Sequence, residues 1–166
     1  ATASDPERTW RYKIDRSKGY EENRLITGIK LANLRIYARA TRDSQPREMG
    51  TTIVSLFAVE DGVYLAHVGD SRVYRRRDGK LEQLTEDHSL LNDYIKMKHL
   101  SPDESAAFPH KNVIVRALGM KDTVQVDVHL DAPRLGDVYL ICSDGLSAMI
   151  KDEDLSEMSA SETDLD

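Results

Sequence analysis

The fold is decided by the stretch Val138-Tyr139-Leu140-Ile141-Cys142-Ser143-Asp144-Gly145, in which an apolar run ends abruptly in a carboxylate and a glycine. A continuous apolar run of this length is typical of a strand that is covered on both faces. Burying a charge is costly unless a cation or hydrogen-bond donors compensate it. Asp144, at the end of this predicted strand, is therefore a candidate metal ligand.

A second aspartate stands in the same relation to an earlier predicted strand. The run Val63-Tyr64-Leu65-Ala66-His67-Val68 leads into Gly69-Asp70-Ser71-Arg72. Two strand-end aspartates predict one acidic cluster built by folding. Carboxylates are hard oxygen ligands that suit magnesium, manganese or calcium. Zinc is not favoured, because the sequence has no cluster of cysteines or histidines beside these aspartates. The alternative is that each aspartate caps a turn through backbone N–H groups.

The composition is that of a soluble globular domain and argues against several classes of protein. The 166 residues are 40% hydrophobic and 31% charged, with 29 acidic and 23 basic residues and a formal net charge of -6. This acidic balance argues against nucleic acid as the main partner. No apolar run approaches the roughly 20 residues of a membrane span. The polar start is no signal peptide, and the single cysteine fits a reducing compartment, so we expect a cytoplasmic protein.

Hydrophobic periodicity and turn signals predict an α+β domain with many antiparallel strands. A polar loop over 1–18 precedes a helix over 20–41, and a second loop spans 43–49. Strands are predicted at 52–59, 63–69, 72–77 and 80–84, as a meander of hairpins with turns at Asp61-Gly62 and Asp78-Gly79. Further along the chain we expect a helix from 90 to 98, a capped helix at 101–107, extended structure at 112–118, strands at 124–130 and 137–143, a helix starting at 146–150, and a frayed acidic end from Lys151.

Four other side chains or groups have two interpretations each. His88 is suited to acid–base chemistry or to fixing a loop, and we favour the loop. Arg72 is suited to binding phosphate or to pairing with a carboxylate inside the fold, and we favour the ion pair. Arg75-Arg76-Arg77 is more typical of a solvated strand end than of a binding patch. Cys142 lacks the arginine six residues on that a cysteine phosphatase needs, so we expect a buried structural cysteine.

Four motifs occur in a fixed order along the chain. They are Met49-Gly50-Thr51-Thr52, the stretch from Ala66 to Arg72, the stretch from Leu84 to Ser89, and the stretch from Asp137 to Leu146. Val115-Arg116-Ala117-Leu118-Gly119 lies between the last two. In order and spacing, these motifs resemble the metal-dependent PP2C-type (PPM) serine/threonine protein phosphatases of bacteria. The resemblance covers residues 20 to 155.

The resemblance implies a fold, an activity and a set of ligands. The fold is an antiparallel β-sandwich flanked by helices, and the activity is hydrolysis of phosphoserine and phosphothreonine in proteins by a water that two manganese or magnesium ions activate. Asp144 would be a ligand of the second metal, and Asp70 with Asp144 would hold a third, weaker ion. Residues 89–111 match a variable flap. Phosphoprotein substrates and an opposing serine/threonine kinase are the implied partners.

The chain departs from the family pattern at both ends. The first metal motif of the family, Asp-Gly-x-Gly-Gly-His, is not found before residue 20, and the final Gly-x-Asp-Asn motif is not found up to Asp166. We therefore expect residues 1–166 to form a single, incomplete phosphatase domain that contains no identifiable catalytic residue of its own and is inactive by itself. Activity is expected of the intact parent protein. The alternative is a catalytically dead phosphatase fold that binds or regulates other proteins.

Overall fold

A computed structural model describes residues 13–42, 49–98, 100–110 and 113–161. Residues 1–12 of the predicted loop over 1–18, residues 43–48 of the predicted loop over 43–49, and the end of the acidic tail after 161 lie outside these ranges. The described elements are α1 (Tyr20–Arg42), β1 (Ile53–Val59), β2 (Gly62–Val68), β3 (Arg72–Arg77), β4 (Lys80–Gln83), α2 (Leu90–Lys98), α3 (Pro102–Ala106), β5 (Asp127–Asp131), β6 (Val138–Cys142), α4 (Asp144–Ser147) and α5 (Asp152–Ser161). Within these ranges, none of the helices combines the length and apolar character needed to cross a membrane.

The described strands form two three-stranded antiparallel sheets. The first has the order β1-β2-β5 and the second the order β4-β3-β6. Both predicted hairpins exist, but they do not form one continuous meander, because β1 and β2 lie in the first sheet whereas β3 and β4 lie in the second. The chain passes from one sheet to the other at residues 69–71. The α+β class with antiparallel sheets and flanking helices is confirmed.

Helix α1 covers the first sheet, as its periodicity predicted. Ile29 of α1 is buried in one cluster with Ala66 and Val68 of β2 and with Leu118. Side chains alternate along a strand, so Ala66 and Val68 share the face that meets the helix. Burying an isoleucine side chain such as that of Ile29 contributes about 1.5–3 kcal/mol to the stability of the fold. This packing fixes the strand whose end leads into Asp70.

Helix α5 covers the second sheet, so the predicted fraying after Lys151 is wrong. Leu155 is 4% exposed and packs with Tyr74 and Cys142. The hydroxyl of Tyr74 donates a hydrogen bond to Asp152 at 3.0 Å. Acidic residues in the first turn of α5 also interact favourably with the helix dipole. One buried leucine in an otherwise polar segment is too weak a periodic signal for sequence analysis.

An ion pair joins the two sheets. Arg75 of β3 contacts Asp131 of β5 at 2.6 Å, and their side chains are only 12% and 9% exposed. Arg77 likewise contacts Asp137 at 2.6 Å, which holds the pKa of the Asp137 carboxyl well below its usual range. The predicted solvated strand end is therefore wrong for Arg75 and Arg77. Asp131 and Asp137 lie 56 and 60 residues away along the chain, where charge patterning does not reveal them.

Three predicted elements differ in extent or environment. Strand β5 begins at Asp127, opposite His67, because the ladder with β2 ends there. The described part of the predicted extended stretch, residues 113–118, makes isolated bridges at Ile114 and Leu118 rather than a strand. Strand β6 was expected to be covered on both faces, but Ile141 is 46% exposed. Among the described strands, β6 pairs with β3 alone, which leaves it at the edge of its sheet.

Candidate metal centre

The strand register brings Asp70 and Asp144 to the same end of the second sheet. Arg72 of β3 lies opposite Cys142 of β6. Continuing this antiparallel register by two residues sets Asp70, in the turn before β3, against Asp144, the first residue of α4. Asp144 is exposed rather than buried, because the chain turns into α4 directly after the edge strand β6. The two aspartates singled out in the sequence therefore lie at the same end of the second sheet, and the charge of Asp144 raises the pKa of Asp70.

The electrostatics of Asp70 are those of a member of a carboxylate cluster. Burial raises the pKa of Asp70, and the charges of Asp144 and Asp87 raise it further. Asp87 forms an ion pair with Arg72, and the charge of Arg72 partly offsets these effects on Asp70. Within the described part of the chain, neither Asp70 nor Asp144 forms an ion pair with a basic side chain. A hard divalent cation would neutralise such a pair of oxygen donors, so the donor set fits magnesium or manganese.

The turn that carries Asp70 depends on Gly69. Its φ of +114° is one that side-chain-bearing residues rarely adopt, and a Cβ atom there would lie 2.3 Å from Cγ2 of Thr52. The hydroxyls of Thr52 and Ser71 lie 2.8 Å apart and share a hydrogen bond. Two of the four sequence motifs are thus packed directly against each other beside Asp70.

Arg72 makes the internal ion pair that the sequence analysis favoured. Its Nε lies 2.9 Å from Oδ1 of Asp87, and its Nη2 lies 2.6 Å from Oδ2 of the same carboxylate. Its Nη1 donates to the hydroxyl of Tyr74 at 2.8 Å. Because all three nitrogens are engaged, Arg72 is occupied in joining β3 to the loop that contains Asp87. A phosphate group would have to break these bonds to reach the guanidinium.

His88 is buried and bonded to the turn that precedes Asp70. Its backbone N–H donates to the Gly69 carbonyl at 3.0 Å. Its Nδ1 accepts a hydrogen bond from the Gly69 N–H, also at 3.0 Å. On the other side of the ring, Nε2 lies 2.9 Å from Oδ2 of Asp127. These contacts agree with a role for His88 in fixing a loop.

Sequence analysis assigned no role to Asp127 and Arg116, which complete the surroundings of His88. Arg116 donates to Oδ1 of Asp127 at 2.8 Å. Hydrogen bonding to His88 and the charge of Arg116 outweigh burial and lower the pKa of the Asp127 carboxyl. Arg116 belongs to a quoted motif, but its sequence context does not show its partner. Asp127 is simply one polar residue of an alternating strand, which is no signal of function.

His67, His88 and Asp127 lie close enough together to raise the question of a second metal site. The His67 and His88 rings are stacked, with centroids 4.7 Å apart and planes inclined by only 15°. A metal lies close to the plane of each imidazole that ligates it, so nearly parallel stacked rings cannot share one ion. In addition, Nη1 of Arg116 lies 2.9 Å from Nε2 of His88, where it would repel a cation. The cluster is therefore a hydrogen-bonded support.

Cys142 is buried in the cluster under α5, as predicted. Burial raises the pKa of its thiol. A thiol with a raised pKa is a poor nucleophile at neutral pH because little thiolate is present. Cys142 therefore has a packing role.

One family model and several known proteins are similar to the chain. The family model, described as protein phosphatase 2C, matches residues 7–163. The serine/threonine phosphatase stp of Listeria monocytogenes is 35% identical over 137 residues, which cover 82% of the chain and 54% of that protein. The structure of the S. agalactiae serine/threonine phosphatase superposes with a TM-score of 0.80 at 34% identity, covering 89% of the chain and 62% of that structure.

A further similar structure contains metal. It is the catalytic domain of the serine/threonine protein phosphatase PstP in complex with two manganese ions, with a TM-score of 0.69 and 31% identity. The match covers 86% of the chain and 59% of that structure. The chain spans about half the length of the curated relatives that it matches.

Proposed function

The chain belongs to the protein phosphatase 2C family, and we propose on that basis that the full-length protein hydrolyses phosphoserine and phosphothreonine in other proteins. The observation that supports this most strongly is the convergence of Asp70 and Asp144 at one end of the second sheet. Because the chain corresponds to about half of its relatives, the activity is proposed for the full-length protein. The chain by itself is expected to be inactive.

We propose that the carboxylates hold divalent ions, manganese or magnesium. Asp144 is a ligand of one of two core ions, and Asp70 and Asp144 together hold a third ion. Divalent ions at such a site lower the pKa of a water that attacks phosphorus and neutralise the phosphate oxygens. Asp70 is suited to this role because it is half-buried and repelled by neighbouring carboxylates, so that a cation relieves an existing electrostatic cost.

The remaining residues at this end of the sheet support the carboxylates. Arg72 holds Asp87 and the following loop against β3. His88 holds the backbone at Gly69, immediately before Asp70. Neither side chain is placed to transfer a proton to substrate, because both are engaged in the bonds described above. Their proposed role is therefore to support the loops around the metals.

The same family membership supports a proposal for the domain organisation. We propose that residues 1–166 are part of one phosphatase domain and that residues 89–111 form a flap beside the site. Within the flap, α3 begins with a capping box between Ser101 and Glu104, which fixes its start. Phosphoproteins in the bacterial cytoplasm are the proposed substrates, with a serine/threonine kinase as the opposing enzyme.

The full-length protein is expected to hydrolyse a phosphothreonine peptide when manganese is present and to lose this activity after chelation with EDTA. Asp70→Ala should weaken peptide hydrolysis and raise the manganese concentration required, because the third ion loses a ligand while the core ions stay. The measurement is phosphate release as a function of manganese concentration. Activity that survives exhaustive chelation, or a protein that binds phosphopeptide without any turnover, would contradict the proposal.

A further inference from the structure

His88 makes a two-point contact with the residue that precedes Asp70. Its backbone N–H binds the Gly69 carbonyl, and its Nδ1 accepts from the Gly69 N–H. His88 is 6% exposed, so water is poorly placed to replace either bond. The backbone at Gly69 therefore has its donor and its acceptor both satisfied by one residue from a different loop.

These contacts determine the tautomer of His88. A backbone N–H can only donate, so Nδ1 must be unprotonated to accept from Gly69. The proton of the neutral ring is then on Nε2, which donates to Oδ2 of Asp127 at 2.9 Å. Nη1 of Arg116 also lies 2.9 Å from Nε2, but both nitrogens then carry hydrogen, so Nη1 donates to Oδ1 of Asp127 and not to the ring. Burial, chiefly, and the charge of Arg116 lower the pKa of His88, which favours the neutral ring. Asp127 can only accept while ionised, and Arg116 holds its other oxygen.

We propose that His88 is a positioning residue for Asp70: Asp127 holds the imidazole in the Nε2–H tautomer, and Nδ1 then holds the Gly69 amide and the turn that sets Asp70 beside Asp144. This inference rests on the proposed role of Asp70 as a metal ligand. It assigns to Asp127 and Arg116 the task of fixing the ring, without contact with metal or substrate. Partners of this kind orient ligands in many metal sites.

The same residue also closes the base of the proposed flap. The carbonyl of His88 accepts from the Val115 N–H at 2.9 Å. Next to it, Ser89 and Ile114 form an isolated antiparallel bridge. His88 is therefore bonded to the base of the proposed flap on one side and to Gly69 on the other.

Three variants of the full-length protein test the hydrogen bond at Nδ1 of His88 and the hydrogen bond at Nε2 separately. In His88→Asn, the side-chain oxygen lies at the distance of Nδ1 and can still accept from Gly69. In His88→Gln, the amide reaches toward Asp127 and leaves the Gly69 N–H without its acceptor. In Asp127→Asn, Arg116 holds the amide oxygen, so the NH₂ group faces Nε2 and forces the proton onto Nδ1, against the Gly69 donor.

The test combines manganese titration by calorimetry with NMR of the metal-free protein. We expect ¹⁵N imidazole shifts to report the Nε2–H tautomer of His88, and Asp127→Asn to reverse it. His88→Gln and Asp127→Asn should weaken the third manganese site by roughly tenfold or more and speed hydrogen exchange of the Gly69 amide. In His88→Asn, the manganese affinity of the third site and the exchange rate of the Gly69 amide should both stay close to those of the unsubstituted protein. Circular dichroism checks that each variant is folded.

Two outcomes would overturn the inference alone, and a third would overturn it together with the proposed metal role of Asp70. If Asp70→Ala weakens the third manganese site but His88→Gln does not, His88 does not position Asp70. If Asp127→Asn leaves the tautomer unchanged, Asp127 does not fix the ring. If Asp70→Ala leaves all manganese binding unchanged, the metal role of Asp70 fails and the inference fails with it.

Discussion

In the full-length protein, Asp144→Asn is expected to reduce phosphatase activity by orders of magnitude, because the amide keeps the shape of the side chain but removes the charge that binds a divalent ion. The fold should be retained. Asp144 is exposed and forms no ion pair among the described residues, so the substitution should change the free energy of unfolding by about 0.5 kcal/mol or less. The measurement is phosphopeptide turnover over a range of manganese concentrations.

A matched control is Asp61→Asn. Asp61 is also an exposed aspartate, but it lies in the turn between β1 and β2, at the other end of β2 from Asp70. The Asp61→Asn variant should retain full activity. This result would show that the loss of activity in Asp144→Asn does not come from the loss of one surface charge. If Asp144→Asn turns over substrate normally at saturating manganese, Asp144 is a turn residue and the proposed site is wrong.

The second large effect is expected from Gly69→Ala, which should lower the free energy of unfolding by about 2–6 kcal/mol. About 1–3 kcal/mol of this comes from backbone strain, and about 1–3 kcal/mol comes from overpacking against Thr52. The reasons are the φ of +114° and the approach of 2.3 Å to Cγ2 of Thr52. Urea denaturation measures the change. Since the turn carries Asp70, manganese affinity should fall as well.

Gly79→Ala is the control for this substitution. Gly79 also has a positive φ, +76°, but a Cβ atom there would have no neighbour within 4 Å. Gly79→Ala should lower the free energy of unfolding only by the backbone strain, about 1–2 kcal/mol, and should leave manganese affinity unchanged. Equal losses of stability in the two variants would show that the contact with Thr52 is unimportant and that strain alone makes Gly69 necessary.

Much of the fold could be predicted because its signals are local. The turn pairs Asp61-Gly62 and Asp78-Gly79 mark both hairpins, and periodicity marks α1. The assignment of the hairpins to different sheets could not be predicted, because it depends on a sharp turn at Gly69 rather than on strand composition. The helix α5 was missed because its packing depends mainly on Leu155, together with a hydrogen bond from Tyr74 to Asp152.

In the candidate site, too, residues with local sequence signals could be predicted and residues defined by long-range contacts could not. Asp70 and Asp144 could be found because each follows an apolar strand and precedes or follows glycine. Asp127 could not be found, because its significance comes from contacts with His88 and Arg116, which lie 39 and 11 residues away in sequence. The arginines Arg75 and Arg77 were misjudged for a related reason. Long-range ion pairs leave no pattern within one segment of sequence.

The most direct test of the proposed metal centre is anomalous diffraction at the manganese edge from crystals of the full-length protein grown with manganese. We expect a peak within coordination distance of the Asp144 carboxylate, about 2.0–2.6 Å as for magnesium and calcium ligands. A weaker peak should lie between Asp144 and Asp70 and disappear in Asp70→Ala. Manganese bound elsewhere, with Asp70 and Asp144 both free of metal, would contradict the proposed centre.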